Sequence, residues 1–194
     1  MRGFVPDLVA AGYCVVAFDG PAHGESEGRQ ADLVNFGGAI KTLIEKLDGT
    51  IATVITHSFG AACIVYTLAN VKQHLHVDKL VLISASSSTK RIMTKYLNLF
   101  GAPDVVKNKW FEYVESKLNF SLDTVDVSTA NTKINFNSAL IIHDEMDSVI
   151  PFSEGEKIAA SWKDTILVAT KGYGHFRLVK NPDVVRRVVR FVVG

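Results

Sequence analysis

The sequence predicts an α/β fold, with a mostly parallel central sheet flanked by helices and a helical insertion. Three observations carry this. Short apolar runs alternate with segments of helical period along the chain. Several of those runs are continuously apolar, as in strands covered on both faces. A length of 194 residues, 47% hydrophobic and 21% charged, suits one domain, residues 1–194, with a sizeable core.

Tyr13–Phe18 (YCVVAF) is the first expected strand, buried on both faces. A Gly-containing turn, Asp19–Gly28, follows. Leu33, Phe36, Ile40, Leu43, Ile44 and Leu47 recur three and four apart, so an amphipathic helix is expected, closed by Gly49. Ile51–Thr56 (IATVIT) reads as the second buried strand, and Gly60–Asn70, nearly all apolar, as a deeply packed helix. Leu80–Ser84, Leu140–His143 (starting a residue or two earlier) and Thr165–Ala169 complete the strands. Ser153 and Glu156 have capping-box spacing and mark a helix between the last two. Asn181–Pro182 opens the final helix, with Asn as N-cap. Its stripe of Val184, Val185, Val188, Val189 and Val192 is buried. Arg186, Arg187 and Arg190 fall on the opposite side, as a solvated face or a surface for an acidic partner. The segment of residues 86–137 breaks the alternation. It is long, helix-leaning and aromatic, and reads as an insertion over one edge of the sheet.

Composition excludes several classes. Twenty-one Lys and Arg against 20 Asp and Glu, and a pI near 7.8, argue against nucleic-acid binding. No apolar run reaches the roughly 18 residues of a membrane span. Pro6, Asp7 and Gly12 break the N-terminal apolar stretch too early for a secretory signal. Cys14 and Cys63, both in apolar runs, read as buried free thiols in a reducing cytoplasm. No metal-ligand spacing, phosphate loop or dinucleotide motif occurs, so no metal or cofactor is expected. His74 and His76 lie in a polar turn without a supporting ligand cluster.

The chemistry concentrates at three strand ends. In Thr56-His-Ser58-Phe-Gly60 a buried strand runs into a serine and a helix starts at once. A serine on so sharp a turn is strained, and the positions two before and two after must be small. Gly60 meets that need, and Thr56 meets it in part. The turn lifts the hydroxyl from the sheet, sets it beside a helix N-terminus, and frees the Phe59 N–H to face an oxyanion. A serine that merely caps a helix is the plain alternative. A serine hydroxyl needs a base and an orienting acid to become nucleophilic. His175, in Gly172-Tyr-Gly-His175, follows the fifth strand, and Asp147 follows the fourth. Both lie, with Ser58, at the carboxyl edge where open α/β sheets place their sites. Asp144 and Glu145 are rival acids nearer the strand end, and Asp147 is preferred.

Together these motifs resemble the α/β-hydrolase superfamily, in its serine-using esterase, lipase and thioesterase-like part. Thr56-His-Ser-Phe-Gly60 matches the nucleophile elbow. His143–Pro151 resembles the acid loop, and Gly174-His175 the histidine loop. In Phe18-Asp-Gly-Pro-Ala-His-Gly-Glu-Ser26, residues Asp19, His23, Gly24 and Ser26 fall in register with a structural turn of the family. The resemblance places a cap at about residues 86–137 and makes Trp110, Phe111, Tyr113 and Phe100 candidates to line an apolar acyl pocket. Packing of the cap onto the core is the other use for each. A serine nucleophile disfavours the branches that use Asp.

The resemblance departs at the N-terminus. Members have further strands and a His-Gly loop that supplies the second oxyanion N–H. Loss of one such donor costs about 10²–10³ in rate. One missing strand would lie between those resembling Tyr13–Phe18 and Ile51–Thr56, so either these two pair directly, another chain fills the slot, or the sequence is incomplete. An exposed sheet edge also suggests a homodimer. The expected function is hydrolysis of carboxylic esters or thioesters through Ser58, Asp147 and His175. The rival is a non-catalytic binding or interaction protein on the same scaffold, and a weaker one an acyltransferase or C–C hydrolase.

Overall fold

The computed structural model describes residues 1–47, 50–70 and 76–194. Gly49, expected to close a helix, and His74 lie outside them. Among the described residues four strands, β1 (Ile51–His57), β2 (His76–Ile83), β3 (Asn135–Asp144) and β4 (Thr165–Thr170), form one sheet in the order β1-β2-β3-β4. All three pairings are parallel, with Thr56 opposite Leu82, Leu82 opposite Ile141 and Ile141 opposite Leu167. The helices are α1 (Val5–Ala10), α2 (Leu33–Lys46), α3 (Phe59–Asn70), α4 (Thr89–Leu99), α5 (Asp104–Leu118), α6 (Phe152–Ser161), α7 (Gly174–Arg177) and α8 (Pro182–Val193).

The central strands show why their sequences are continuously apolar. Val77, Leu80 and Leu82 of β2 and Ala139 and Ile141 of β3 face a core shared with α2, α3 and α5. Val81, Ile83, Leu140 and Ile142 face the opposite core, closed by Phe4, Leu8 and the Val184, Val185, Val188 and Val192 stripe of α8. Successive side chains leave a strand on opposite faces, so a two-sided strand carries no polar alternation. β1 and β4 are only partly covered. Each is an edge strand with one neighbour among the described residues, so Ile51–Thr56 is a half-buried edge, not the fully buried strand expected.

Tyr13–Phe18 departs further. It is extended but joins no ladder. Only one side is covered: Tyr13 and Val15 pack against the α8 core, and the Tyr13 hydroxyl donates to the Val192 carbonyl at 3.0 Å. Cys14, Val16 and Phe18 are exposed. An apolar run becomes a strand only where a neighbour meets its backbone groups, and β1 does not approach it as one. Cys14 is therefore an exposed free thiol rather than a buried one, whereas Cys63 is buried as expected.

Other boundaries shift for local reasons. His76 opens β2 opposite Asn135 instead of lying in a turn. β3 begins at Asn135, inside the stretch assigned to the insertion. The Ser153/Glu156 capping box does not form. α6 starts at Phe152 after Pro151, without a side-chain cap, which leaves Ser153 inside the first turn. The Asn181 cap does form, accepting from the Asp183 and Val184 N–H groups. Between β2 and β3, α4 and α5 lead to two short 3-10 turns, Leu122–Val125 and Val127–Thr132. Phe111, Leu122, Val125, Val127 and Ala130 belong to the same core as α3 and the sheet.

Candidate active site

The site forms where β1, β3 and β4 end. β1 passes directly into Ser58, whose φ of 55° is in the left-handed region that a non-glycine residue avoids. The Ser58 N–H donates to the Ile83 carbonyl at 2.9 Å and its carbonyl accepts from Ala61, so both ends of the turn are pinned. α3 begins at the next residue. As the first residue of a helix, Phe59 has no intrahelical acceptor for its N–H.

The neighbours of the turn differ from the expectation. Thr56 is accommodated: it is buried, and its hydroxyl donates to the Val81 carbonyl across the sheet at 3.2 Å. A Cβ at Gly60 would meet the Thr56 Cβ at 3.9 Å, ordinary van der Waals distance. The small size of Gly60 is therefore not sterically required.

His175 sits in α7, between Gly174, at φ 62°, and Phe176. Its Nδ1–H donates to Asp147 Oδ2 at 2.8 Å, and its Nε2 accepts from Ser58 Oγ at 2.9 Å. The carboxylate fixes the proton on Nδ1 and leaves Nε2 as the base facing the hydroxyl. His175 is 5% exposed and Asp147 7%. The three side chains that the sequence singled out, separated by 89 and 28 positions, are thus one hydrogen-bonded chain.

Asp147 is held by more than the histidine. Its Oδ1 accepts from the Val149 and Ile150 N–H groups, both at 2.9 Å. Burial opposes its ionisation, but the hydrogen bonds from His175 and Ile150 prevail and keep its pKa below the ordinary carboxylate value. His143 backs the same loop. Its Nε2–H donates to the Ile150 carbonyl at 3.0 Å and lies 3.6 Å from Asp147 Oδ2. Burial lowers the His143 pKa. A Cβ at Gly155 would approach its Nδ1 to 2.8 Å, so glycine is needed there for the ring to fit.

The rival acids have other uses. Glu145 is exposed and pairs with Lys171 at 3.6 Å. Asp144 is fully buried and accepts from the Met146, Gly172 and Tyr173 N–H groups and the Thr170 hydroxyl. Despite its burial these donors hold its pKa low. Asp144 ties the acid loop to the histidine loop, a role that adjacency to a strand end did not distinguish from that of Asp147. His57 was also missed. Its Nε2–H donates to the His175 carbonyl at 3.0 Å, with ring centroids 4.8 Å apart, and burial lowers its pKa.

The Asp19–Gly28 turn braces the elbow from the other side. Asp19 accepts from the Glu25 N–H and its carbonyl from the Ser26 hydroxyl. Phe36 links the turn to the elbow, with rings of Phe18, His23 and Phe59 at 6.0, 5.5 and 5.9 Å. A Cβ at Gly20 would collide with the Phe36 ring, and one at Gly24 with the Asp19 carboxylate. The four aromatic residues proposed for an acyl pocket do not share one environment. Phe111 is a core residue and Trp110 packs against that core, whereas Phe100, 85% exposed, and Tyr113 stand in solvent. The apolar groups flanking the triad positions are instead Phe59, Met146 and Phe176, all exposed. Phe176 meets the His175 ring edge-on at 4.9 Å. Among the described residues no group of three or more His, Cys, Asp or Glu is arranged to hold a metal ion.

The hydrogen-bonded chain of Ser58, His175 and Asp147 lies at the carboxyl edge of a parallel sheet. Residues 2–129 match the alpha/beta hydrolase family, to which this chain belongs. Similar solved structures include the monoacylglycerol lipase of Paleococcus ferrophilus, at 21% identity and TM-score 0.70, covering 98% of this chain and 87% of that one. An esterase from Exiguobacterium antarcticum matches at 20% identity and TM-score 0.64, over 91% and 80% of the two chains. A meta-cleavage product hydrolase from Pseudomonas fluorescens matches at 20% and 0.64, over 99% and 82%. No curated protein matches by sequence. Among the described residues no helix is long and apolar enough to cross a membrane.

Proposed function

We propose that the protein is a serine hydrolase of carboxylic esters or thioesters. The observation that carries this is the continuous Ser58–His175–Asp147 hydrogen-bonded chain with Ser58 on a strained elbow. Ser58 Oγ attacks the carbonyl carbon as His175 Nε2 takes its proton. Asp147 holds the imidazole and stabilises its cation. The Phe59 N–H donates to the oxyanion. His175 then protonates the leaving group, and water attacks the acyl-enzyme by the same base. Lipase and esterase neighbours on the same fold support an acyl substrate. The exposed Phe59, Met146 and Phe176 favour an apolar acyl group. We read residues 86–134, which precede β3, as the cap over this rim, and the outer edge of β1 as the surface of a homodimer. A cytoplasmic location fits the unpaired Cys14 and Cys63.

The test is labelling with a fluorophosphonate probe and turnover of short p-nitrophenyl esters. Wild type labels and turns over, and Ser58→Ala abolishes labelling and lowers kcat/KM by about 10³ or more. Folded protein that neither labels nor turns over is a binding protein on a hydrolase scaffold.

A further inference from the structure

The cleft on the outer side of β4 is lined by none of Ser58, Asp147 and His175. It has a volume of about 390 Å³ and is lined by Thr170, Lys171 and Tyr173 from β4 and its loop and by Asp183, Arg186, Arg187 and Arg190 from α8. That volume lies within the range of small-molecule sites, about 300–1,000 Å³. We propose that this cleft binds a compact molecule through a phosphate group.

Four cations meet one carboxylate in the lining. Asp183 is engaged by Arg186, and Lys171 reaches outward to the exposed Glu145 at 3.6 Å. Arg187 and Arg190 have no ion pair among the described residues. Arg186 and Arg190 are four apart, and Arg187 and Arg190 three apart, on a helix that therefore carries like-charge repulsion along one face. Placing Lys171 on the facing wall adds to that repulsion. Arg187 and Arg190, unlike Arg186 and Lys171, meet no carboxylate among the described residues, and both line the concavity. Arginine presents a planar donor fork that suits phosphate oxygens two at a time. One phosphate occupies about two such cations, and Arg187 and Arg190 are the two left without a carboxylate among the described residues, so the cleft accommodates one phosphate group. The valine stripe of α8 is locked into the core, so the arginines project from a rigid support.

The test is calorimetric titration of inorganic pyrophosphate into the full chain at neutral pH and about 0.15 M salt, where long-range surface electrostatics are screened. The expected result is one site with Kd below about 1 mM. Binding weakens at least about tenfold in the Arg187→Gln/Arg190→Gln double variant and also in Lys171→Gln on the opposite wall. All variants keep the wild-type circular dichroism and Tm. No binding by wild type, or equal binding by the variants, overturns the site. Citrate binding as tightly as pyrophosphate overturns its assignment to phosphate.

Discussion

Ser58 is held at a φ of 55°, a conformation that costs about 1–2 kcal/mol for an L-residue. The hydrogen bonds at both ends of the turn and the packing of α3 maintain it. The neighbouring carboxylates show how position in a fold separates chemically identical groups. Asp147 meets the imidazole, whereas Asp144, three residues earlier, gathers four donors from two loops. Asp144→Asn replaces an all-acceptor group by one that also presents N–H donors to N–H donors. Loss of charge-assisted hydrogen bonds of about 1.5–3 kcal/mol each predicts a destabilisation of about 2–3 kcal/mol in urea denaturation. Ester turnover should fall about 10²-fold, because the histidine loop loses its tie to the acid loop. The exposed Glu145→Gln should stay within about 0.5 kcal/mol of wild type. Equal effects of the two substitutions would remove the assigned role of Asp144.

At the scale of elements, the start of α4 is fastened to α6 through one buried acid, beside contacts of Thr89 with Asp126 and of Lys95 with the Ser148 and Val149 carbonyls. Glu154, 4% exposed on α6, accepts from the Ser87 N–H and hydroxyl, from Arg91 Nη1 and from Lys157. Although burial opposes its charge, Lys157, Ser87 and Arg91 bring its pKa down to about 2. The acid in the first turn of α6 points across to the start of α4, a partner 63 to 67 residues away. Glu154→Gln leaves the donors facing a neutral amide and should cost about 2–3 kcal/mol. Hydrogen exchange should show α4 losing protection before β2 and β3 do. Uniform loss of protection across the chain would contradict a local fastening.

For the whole molecule, buried ionisable groups set the response to acid. His57 and His143 are held below the ordinary 6.5 by burial. The folded state therefore binds fewer protons than the unfolded one, and their contribution is complete above about pH 6.5 and declines below it. Asp144, Asp147 and Glu154 are depressed as well. Their contribution is complete above their ordinary values, 4.5 for Glu154, and is lost as pH falls through their lowered folded values, about 2 for Glu154. The urea midpoint should hold steady above pH 6.5, fall gently below it and steeply below pH 4.5. Glu154→Gln should flatten the steep limb, and a midpoint unchanged down to pH 4 would refute this order. The sequence by itself determined the central apolar runs of β2, β3 and β4, the helices α3 and α8, and the three strand-end positions Ser58, Asp147 and His175 that the fold joins by hydrogen bonds. Each depends on a local signal: a continuous apolar run, an N-cap, or a strand that breaks into a turn. Tertiary structure alone decided that Tyr13–Phe18 joins no ladder, that β1 is an edge and that Asp144 and Asp147 take different partners. It also set the arginines of α8 against Lys171. Those outcomes depend on which distant group meets a backbone or a charge, and chain-local periodicity carries no information about a partner that only folding brings near.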